Sequence, residues 1–368
     1  MEHLVIKPTL GCTASCPTCV SRRRLHRALE GARLSLVDWA RVFSDASALG
    51  AWQLTISGGE PTLYEGLADL VRLGKRHGWL VRLNSNGGFD DEQLVEELLD
   101  AGLDVVDISL YSATAELHDA MRGRRGLWAQ ATRNIALLAK LQARRRGFRV
   151  ITQTVLTREN YQELPQLLEL HRRLGSCGLL VSYLEGDFEG RHQLSVHQVN
   201  RFRREVLPQA LEVCRGLDWL TRDLATSAVE RIFSLRTLSP ERWARGAYRP
   251  SRGACSIPST QALILANGDV HPCNIVEYTH QPVVGNVLRE PLRRVWHDQP
   301  WASFRRELHP DCQRCPMARH TFVPLRAPGL VQGFVKAGLH RLRMDRVGEA
   351  LVRLRHRRAA LGAGRRSV

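Results

Sequence analysis

The sequence has no long hydrophobic run, and none of its apolar stretches approaches the roughly 20 residues that cross a bilayer. It has no charged-then-apolar segment at its start, because the first residues lead directly into a strand-like run over residues 4–6. It also has no internal repeat and no long low-complexity segment. These absences exclude a membrane-spanning protein and predict a globular, cytoplasmic one.

Because no secretion signal is visible, the nine cysteines are expected in a reducing compartment, where they ligate metals instead of forming disulfides. The hydrophobic share of 43% and the charged share of 24% are ordinary for a globular protein. A chain of 368 residues is long enough for one large domain and a smaller one.

The net charge of +16 invites an interpretation as a nucleic-acid-binding protein. Its distribution argues against this. Residues 319–368 hold twelve Arg or Lys residues against Asp345 and Glu349, so ten of the sixteen surplus charges lie in this tail. A zinc-stabilised nucleic-acid-binding protein is therefore only a remote alternative.

Three cysteines, Cys12, Cys16 and Cys19, stand at C-x3-C-x2-C spacing shortly after the first strand-like run. Three thiolates hold three irons of a 4Fe–4S cluster and leave the fourth iron open to a small molecule. A cubane with a complete protein shell needs a fourth cysteine, and the next one is distant, at Cys177. Structural zinc is the alternative, but it requires four ligands, usually from paired C-x2-C units, and the x3 gap fits that poorly.

A second motif, Ser57-Gly58-Gly59-Glu60-Pro61, follows the strand-like residues 52–56. Two glycines at a strand end let a backbone approach a ligand closely. The Glu60 carboxylate is able to accept hydrogen bonds from an ammonium group. Together with the cysteine spacing, this motif resembles the radical S-adenosylmethionine (SAM) superfamily.

The resemblance implies that the three-cysteine loop holds the cluster and that its open iron binds the amino and carboxylate groups of SAM. It also implies that Gly58, Gly59, Glu60 and Pro61 hold the SAM amino group. One-electron reduction then cleaves SAM to a 5′-deoxyadenosyl radical, which abstracts a hydrogen from the substrate. This chain has Thr18 where the family usually places an aromatic residue, which loosens the packing over the cluster but removes no ligand.

Strand-like and helix-like segments alternate from residue 4 to residue 220. Strands are predicted over residues 4–6, 52–56, 80–83, 105–110, 148–156 and 179–184. Helices are predicted over residues 36–48, 63–77, 91–101, 127–141, 161–174 and 196–217, with Pro208 kinking or breaking the last one. This rhythm predicts an α/β fold with a parallel sheet and right-handed crossovers. The resemblance implies an open, partial (β/α)6 TIM-like barrel whose active site lies at the C-terminal strand ends.

Further residues at the strand ends extend the implied SAM site. Asn84 ends the third strand, Ser109 lies in the fourth, and Arg122 follows that strand. The resemblance implies that the serine contacts SAM and that the arginine pairs with the SAM carboxylate; the alternative for Arg122 is a surface arginine on a helix. The family usually has an acid two residues after the serine, where this chain has Tyr111, and the spacing to Arg122 is one residue longer than usual. Leu184, at the end of the sixth strand, is implied to pack on the adenine.

Candidate substrate-contacting residues follow the sixth strand or lie near it. Glu185 and Asp187 are expected to bind the substrate or to accept its proton, and the alternative is a solvated loop. Cys177 and Cys214 are candidate hydrogen-atom donors, although a lone cysteine among apolar residues is usually just a small buried residue.

The remaining cysteines are Cys255, Cys273, Cys312 and Cys315. Residues 263–270 predict a hairpin with an Asn-Gly turn. From spacing alone, a zinc site would be favoured. The C-x12-G-x4-C pattern, the Gly285-Asn286 pair, the helix with Trp296 and the closing C-x2-C resemble the auxiliary-cluster domain of radical SAM enzymes. Since the full SPASM form continues with more cysteines and this chain has none beyond Cys315, the resemblance is to the shortened form called twitch, with one auxiliary 4Fe–4S cluster.

The predicted organisation is a radical SAM partial barrel over residues 1–220, a linker over 221–252, a twitch-type α+β cluster domain over 253–320 and a basic helical tail over 321–368. The tail, together with Arg22, Arg23, Arg24 and Arg27, is expected to attract an acidic electron donor such as a flavodoxin. The alternative is a solvated tail without a partner.

Three functions are compatible with these features. The favoured one is oxidation of a hydroxyl-bearing carbon in a sugar-like or aminocyclitol-like small molecule in antibiotic biosynthesis, by an oxidoreductase whose auxiliary cluster accepts the second electron. A radical epimerase of a similar substrate is a variant of it. The second is a maturase of ribosomal peptides, although such enzymes often carry a leader-recognition domain and a two-cluster SPASM domain. The third is the zinc protein above, which leaves the Gly-Gly-Glu-Pro motif unexplained.

Overall fold

The structure is a computed structural model that describes residues 1–19, 33–145, 147–184, 190–215, 240–241, 257–273 and 283–306. All of these belong to one compact unit, Met1–Thr321, and a second unit, Phe322–Val368, lies outside the described residues. The predicted basic tail and most of the predicted linker therefore also lie outside them. The predicted division into these four segments stays a prediction.

Nine strands form one sheet in the described part of the chain, in the order β6-β5-β4-β3-β2-β1-β7-β8-β9. They are β1 (His3–Lys7), β2 (Gln53–Ile56), β3 (Leu80–Ser85), β4 (Val105–Ser109), β5 (Arg149–Leu156), β6 (Gly178–Tyr183), β7 (Gln261–Leu265), β8 (Asp269–His271) and β9 (Gly285–Asn286). The first seven pair in parallel, and the last two join antiparallel. This open, mostly parallel sheet confirms the predicted partial-barrel fold class.

Helices follow the parallel strands. They are α1 (Leu36–Ala48), α2 (Leu67–Arg76), α3 (Glu92–Asp100), α4 (Ala115–Arg122), α5 (Leu127–Arg144), α6 (Leu164–Leu174), α7 (Val196–Arg201), α8 (Leu207–Arg215), α9 (Ile257–Thr260), α10 (Leu292–His297) and α11 (Gln299–Arg306). Helix α1 has the predicted bounds because a capping box between Ser35 and Asp38 fixes its start. None of the described helices has both the length and the hydropathy required to cross a membrane.

Three predicted helices need correction, and a fourth helix was missed. Two helices begin later than predicted because short 3₁₀ turns, Pro61–Leu63 and Tyr161–Glu163, precede them. Helix α4 was not predicted. The helix predicted over residues 196–217 contains a π-helical turn, Phe202–Val206, directly before α8. Pro208 is the second residue of α8 and has no N–H to donate, so a regular hydrogen-bond ladder cannot run through this point.

The two faces of the sheet have different chemistry because successive side chains of a strand point to opposite faces. One face is apolar: Leu4, Leu54 and Val81 belong to the main core, together with Trp39 and Phe43 of α1. The other face carries polar pairs, with His3 Nε2 2.8 Å from Thr55 Oγ1 and an ion pair between Arg82 and Asp107. The sheet therefore buries its helix-covered face fully and keeps polar side chains on the inner face of the partial barrel.

The predicted hairpin over residues 263–270 is confirmed. β7 and β8 are joined by a turn in which Gly268 has a φ of +85°, a conformation that favours glycine. The sequence did not reveal that β7 also pairs in parallel with β1, from His3 opposite Gln261 to Lys7 opposite Leu265. Residues assigned by their cysteine spacing to an auxiliary-cluster domain thus extend the same sheet.

Candidate active site

The loop with Cys12, Cys16 and Cys19 follows β1 at the carboxyl edge of the parallel strands, as predicted. The two glycines that follow β2 lie directly against it. Gly59 N donates to Thr9 O at 3.0 Å, and Glu60 N donates to Gly11 O at 2.7 Å. A Cβ atom on Gly58 would lie 2.3 Å from Thr9 O, and one on Gly59 would lie 2.1 Å from Gly11 O. In this structure the close approach that requires glycine is therefore to the cysteine loop itself.

Glu60 is only 1% exposed, and its carboxylate connects the ends of β2 and β3. Its Oε1 accepts from Ser85 Oγ at 2.8 Å and from Thr62 Oγ1 at 2.9 Å. Its Oε2 accepts from the backbone N–H of Asn86 at 2.7 Å. Burial raises the pKa of Glu60, and these hydrogen bonds oppose the increase. Most of the accepting capacity of Glu60 is used inside the protein, so its contact with the SAM amino group stays a prediction.

The predicted site residue is Asn84, but the asparagine that contacts the cysteine loop is Asn86. Asn84 is half-buried within β3, at an alternate position to the buried Ser85. Asn86 lies just beyond the strand, where its Nδ2 is 3.0 Å from Thr13 Oγ1 and 3.9 Å from Cys12 Sγ. An asparagine before a glycine resembles an ordinary turn residue, so the sequence pattern does not distinguish Asn86 as a site residue.

Arg122 is buried beside the cysteine loop, not exposed on a helix surface. It ends α4, and its carbonyl accepts from Ser15 N at 2.9 Å. Gly123, with a φ of +61°, allows this approach, because a Cβ there would lie 2.4 Å from Ser15 O. The guanidinium lies 4.5 Å from the centre of the Tyr111 ring, and its Nε has no hydrogen-bond partner in the described residues. A buried cation with a free donor is suited to an anionic group such as a carboxylate.

Tyr111, whose ring contacts the Arg122 guanidinium, is itself held by His118. Tyr111 donates its backbone N–H to His118 Nδ1 at 3.1 Å, which assigns the ring proton of His118 to Nε2. Burial lowers the pKa of His118 to about 3, so this histidine is neutral. Burial also raises the pKa of the Tyr111 phenol, which keeps it protonated. Tyr111 therefore adds no negative charge beside Arg122, unlike the acid that the family usually places there.

The other predicted SAM residues lie at the same edge of the sheet. Ser109 ends β4 opposite Gln153 of β5 and is half-buried. Leu184 follows β6 and is buried. Pro61 is buried and begins the 3₁₀ turn after Glu60. The fold thus brings these three residues to the edge that carries the cysteine loop, and their contacts with SAM remain predictions.

Cys177 does not join this group. It immediately precedes β6, so it lies at the amino edge of the sheet, opposite the cysteine loop. It is buried, and burial raises the pKa of its thiol to about 11. This geometry does not support the predicted role of Cys177 as a hydrogen-atom donor. Glu185 and Asp187 lie outside the described residues, as does the side chain of Cys214.

Of the four C-terminal cysteines, the structure describes Cys273, which follows β8 and is buried. Cys255, Cys312 and Cys315 lie outside the described residues. Ligation of an auxiliary cluster by these four residues therefore stays a prediction.

The described residues fit a SAM-bound cluster. Half-buried Cys16 and Cys19 and exposed Cys12 lie in one short loop at the carboxyl edge of the sheet. A buried arginine with an unpartnered Nε lies beside that loop. A parallel α/β sheet that carries three cysteines and a buried arginine at its carboxyl edge is the framework of a cofactor-dependent enzyme.

Known families identify the cofactor. The model of the radical SAM superfamily matches residues 6–171, and that of the SPASM iron–sulfur cluster-binding domain matches residues 255–316. The chain is 32% identical to the PqqA peptide cyclase of Ruegeria pomeroyi over 289 residues, which span 78% of this chain and 71% of the relative. The chain belongs to the radical SAM superfamily and carries a SPASM-type domain. Its cofactors are therefore SAM, the SAM-binding 4Fe–4S cluster and auxiliary iron–sulfur clusters.

Two other similarities extend this result. The AdoMet-dependent heme synthase of Methanosarcina barkeri is 24% identical over 302 residues, which cover 79% of this chain and 80% of the relative. The crystal structure of Streptococcus suis SuiB bound to precursor peptide SuiA has a TM-score of 0.61 at 19% identity, covering 86% of this chain and 70% of SuiB. At that identity, the structural similarity establishes the fold alone.

Proposed function

We propose that this radical SAM enzyme acts on a peptide. The observation that carries the proposal is the 32% identity to a PqqA peptide cyclase across most of both chains. The sequence alone favoured oxidation of a sugar-like or aminocyclitol-like molecule and ranked a peptide maturase second. No relative reported above supports sugar oxidation, so the order of these two functions is reversed.

The residues of the chain have distinct tasks in this function. Cys12, Cys16 and Cys19 hold the cluster, and Arg122 receives the carboxylate of SAM. Ser109 and Leu184 line the same edge of the sheet, and the Gly-Gly-Glu-Pro segment fixes the cysteine loop. When bound, SAM and the cluster supply the 5′-deoxyadenosyl radical that takes a hydrogen atom from the substrate.

The net reaction proposed for the peptide is ring closure. A new bond replaces two bonds to hydrogen, so one hydrogen leaves as an atom and the other as a proton and an electron. Glu185 and Asp187 are the proposed proton acceptors. Either carboxylate acts as the base only if it lies within hydrogen-bond reach of the proton that the peptide loses. Cys255, Cys273, Cys312 and Cys315 would hold the auxiliary cluster, whose chemistry is to accept an electron. The product is two mass units lighter than the peptide.

An acidic protein is the proposed electron donor. The surplus of positive charge in the chain favours association with such a partner, and salt would weaken that attraction. SAM cleavage driven by flavodoxin should therefore slow with ionic strength more than cleavage driven by dithionite. Equal salt dependence with both reductants would exclude this electrostatic recruitment.

Deuterium transfer tests the substrate class. Anaerobically reconstituted enzyme, SAM and reductant are incubated with an extract of cells that express this protein naturally and that were grown in deuterated medium. The extract is used before and after protease digestion and after separation by dialysis. The 5′-deoxyadenosine should gain deuterium from the non-dialysable fraction, and digestion should abolish the transfer. Deuterium transfer from a dialysable, protease-resistant fraction would overturn the peptide proposal and favour small-molecule oxidation.

A further inference from the structure

The sulfur of Cys12 is the acceptor of two N–H groups from different parts of the chain. The backbone N–H of Ala14 donates to Cys12 Sγ at 3.4 Å. The side-chain Nδ2 of Asn86, which comes from the loop after β3, lies 3.9 Å from the same sulfur. The first donor is built into the cysteine loop, but the second depends on one side chain from another strand.

The orientation of the Asn86 amide is fixed by its other contacts. Its Oδ1 accepts from Gly88 N at 2.7 Å, and its Nδ2 donates to Thr13 Oγ1 at 3.0 Å. A flipped amide would place its NH₂ group against the N–H of Gly88, so the donor end must face the cysteine loop. Asn86 is only 3% exposed, so its amide is held inside the protein, while its partners Thr13 and Cys12 are exposed.

Glu60 fixes the backbone of Asn86 in turn. Its Oε2 accepts the Asn86 N–H at 2.7 Å, while its Oε1 accepts from Ser85 Oγ. The buried glutamate of the Gly-Gly-Glu-Pro motif therefore holds the strand end that carries the donor to Cys12. The chain of contacts runs from Glu60 to Asn86 and from Asn86 to Cys12.

Hydrogen bonds to the ligand sulfurs of an iron–sulfur cluster stabilise its reduced, more negative form and raise its reduction potential. We propose that Asn86 is a positioning residue that sets the reduction potential of the SAM-binding cluster through its N–H···S contact with Cys12. The proposal rests on the assignment of Cys12 as a cluster ligand. It also gives Glu60 a second task, which is to keep Asn86 in place.

The test is a redox titration of the anaerobically reconstituted full chain, monitored by the EPR signal of the reduced SAM-binding cluster, which is the signal that disappears when Cys12, Cys16 and Cys19 are replaced by Ala. Asn86→Ala removes the donor. We expect the midpoint potential to become more negative by about 59 mV, which is a tenfold change in the redox equilibrium of a one-electron couple. Asn86→Asp, which keeps the shape but replaces the donor with an anion, should shift the potential further in the same direction.

Asn134 provides the matched control. From α5, its Nδ2 donates to Gly87 O at 2.8 Å and to Phe89 O at 2.6 Å, so it supports the same loop through contacts that do not involve the cysteines. Asn134→Ala should lower the melting temperature and leave the potential unchanged.

Three outcomes would overturn the proposal: no shift in Asn86→Ala, an equal shift in Asn134→Ala, or loss of the cluster from both Asn86 variants while Asn134→Ala retains it. The last outcome would assign Asn86 to cluster assembly instead of tuning. Failure of the parent protein to give a reduced-cluster signal would contradict the cluster assignment itself, which separates the two kinds of failure.

Discussion

Two charged groups at opposite edges of the parallel sheet, Lys75 and Arg122, differ in how completely they are paired. At the amino edge, Lys75 Nζ pairs with Asp104 Oδ2 at 2.7 Å and also donates to Trp79 O at 3.0 Å. The same Asp104 oxygen accepts from Val81 N at 2.8 Å. At the carboxyl edge, the Nε of buried Arg122 has no partner among the described residues.

His118, like Arg122, has a nitrogen without a hydrogen-bond partner among the described residues. Its ring is fully buried, its Nδ1 is used by Tyr111, and its Nε2 has no partner in the described part of the chain. Buried polar groups are normally hydrogen-bonded, because an unpaired one costs about 1–3 kcal/mol. The Lys75–Asp104 pair at the amino edge is thus satisfied within the fold, whereas Arg122 and His118 at the carboxyl edge keep donors available for a ligand.

The largest effect should follow removal of the ligands at the carboxyl edge. Reconstituted protein should hold about eight irons from two four-iron clusters, and replacing Cys12, Cys16 and Cys19 by Ala should remove about half of them. SAM cleavage should be abolished because no iron remains to bind SAM. Metal analysis and 5′-deoxyadenosine assays measure both quantities. Stoichiometric zinc in the triple variant would contradict the assignment of a cluster to the C-terminal cysteines.

A smaller but still large effect should come from Arg122→Met. Loss of a charge-assisted contact with the SAM carboxylate should raise the Kd of SAM roughly 100-fold, measured by anaerobic calorimetry. The control is Arg145→Met, because Arg145 pairs with Asp100 in an exposed position. If both variants bind SAM like the parent, the unpartnered Nε of Arg122 does not bind SAM. The unpaired donor at the carboxyl edge would then have no role in ligand binding.

Tyr111 should have an intermediate effect through its ring. A cation–π contact contributes about 0.5–2 kcal/mol, so Tyr111→Leu should weaken SAM binding by roughly two- to thirtyfold. Tyr111→Phe keeps the ring and should bind SAM like the parent. In an Arg122→Met background, Tyr111→Leu should have no further effect, since the ring acts on SAM through the guanidinium. Equal losses in the Leu and Phe variants would indicate that the hydroxyl, not the ring, is important.

The smallest effect is expected at Cys177, on the amino edge. Its pKa of about 11 leaves almost no thiolate at pH 8, so alkylation of the native protein should be slow and should accelerate only as the pH rises towards 11. Cys177→Ala should leave SAM cleavage and product unchanged. Were the product to keep its mass and gain carbon-bound deuterium in D₂O in a Cys177-dependent manner, the reaction would be an epimerisation and this edge would be functional after all.

Local sequence signals predicted most of the strands and helices that position the site. Helix α1 has its predicted bounds because its apolar spacing and its Ser35 cap act over a few residues. The cysteine spacing and the Gly-Gly-Glu-Pro motif predicted the site because the residue types themselves carry the chemistry. Both kinds of signal can be read without knowledge of the tertiary structure.

Contacts between distant segments could not be predicted in this way. The difference between Asn84 and Asn86 depends on where β3 ends, and the two residues look equally suitable in sequence. The glycines of the motif were expected to approach a ligand, but they approach the backbone of Gly11 and its neighbours. Nothing in the alternating pattern of β1 indicates that β7 is its second neighbour.

The pairing of β1 with β7 has a consequence for the synthesis of the chain. β1 ends at Lys7 and leaves the ribosome long before β7, the strand that covers its second edge and that ends at Leu265. At about 5–20 residues per second, the ribosome takes tens of seconds to reach that point. Throughout this interval the nascent chain presents Leu4, Val5 and Ile6 on an open strand edge, directly before the cysteines that must receive iron. An unpaired strand edge, which favours aggregation, therefore persists while the cluster loop still lacks the support of the completed sheet.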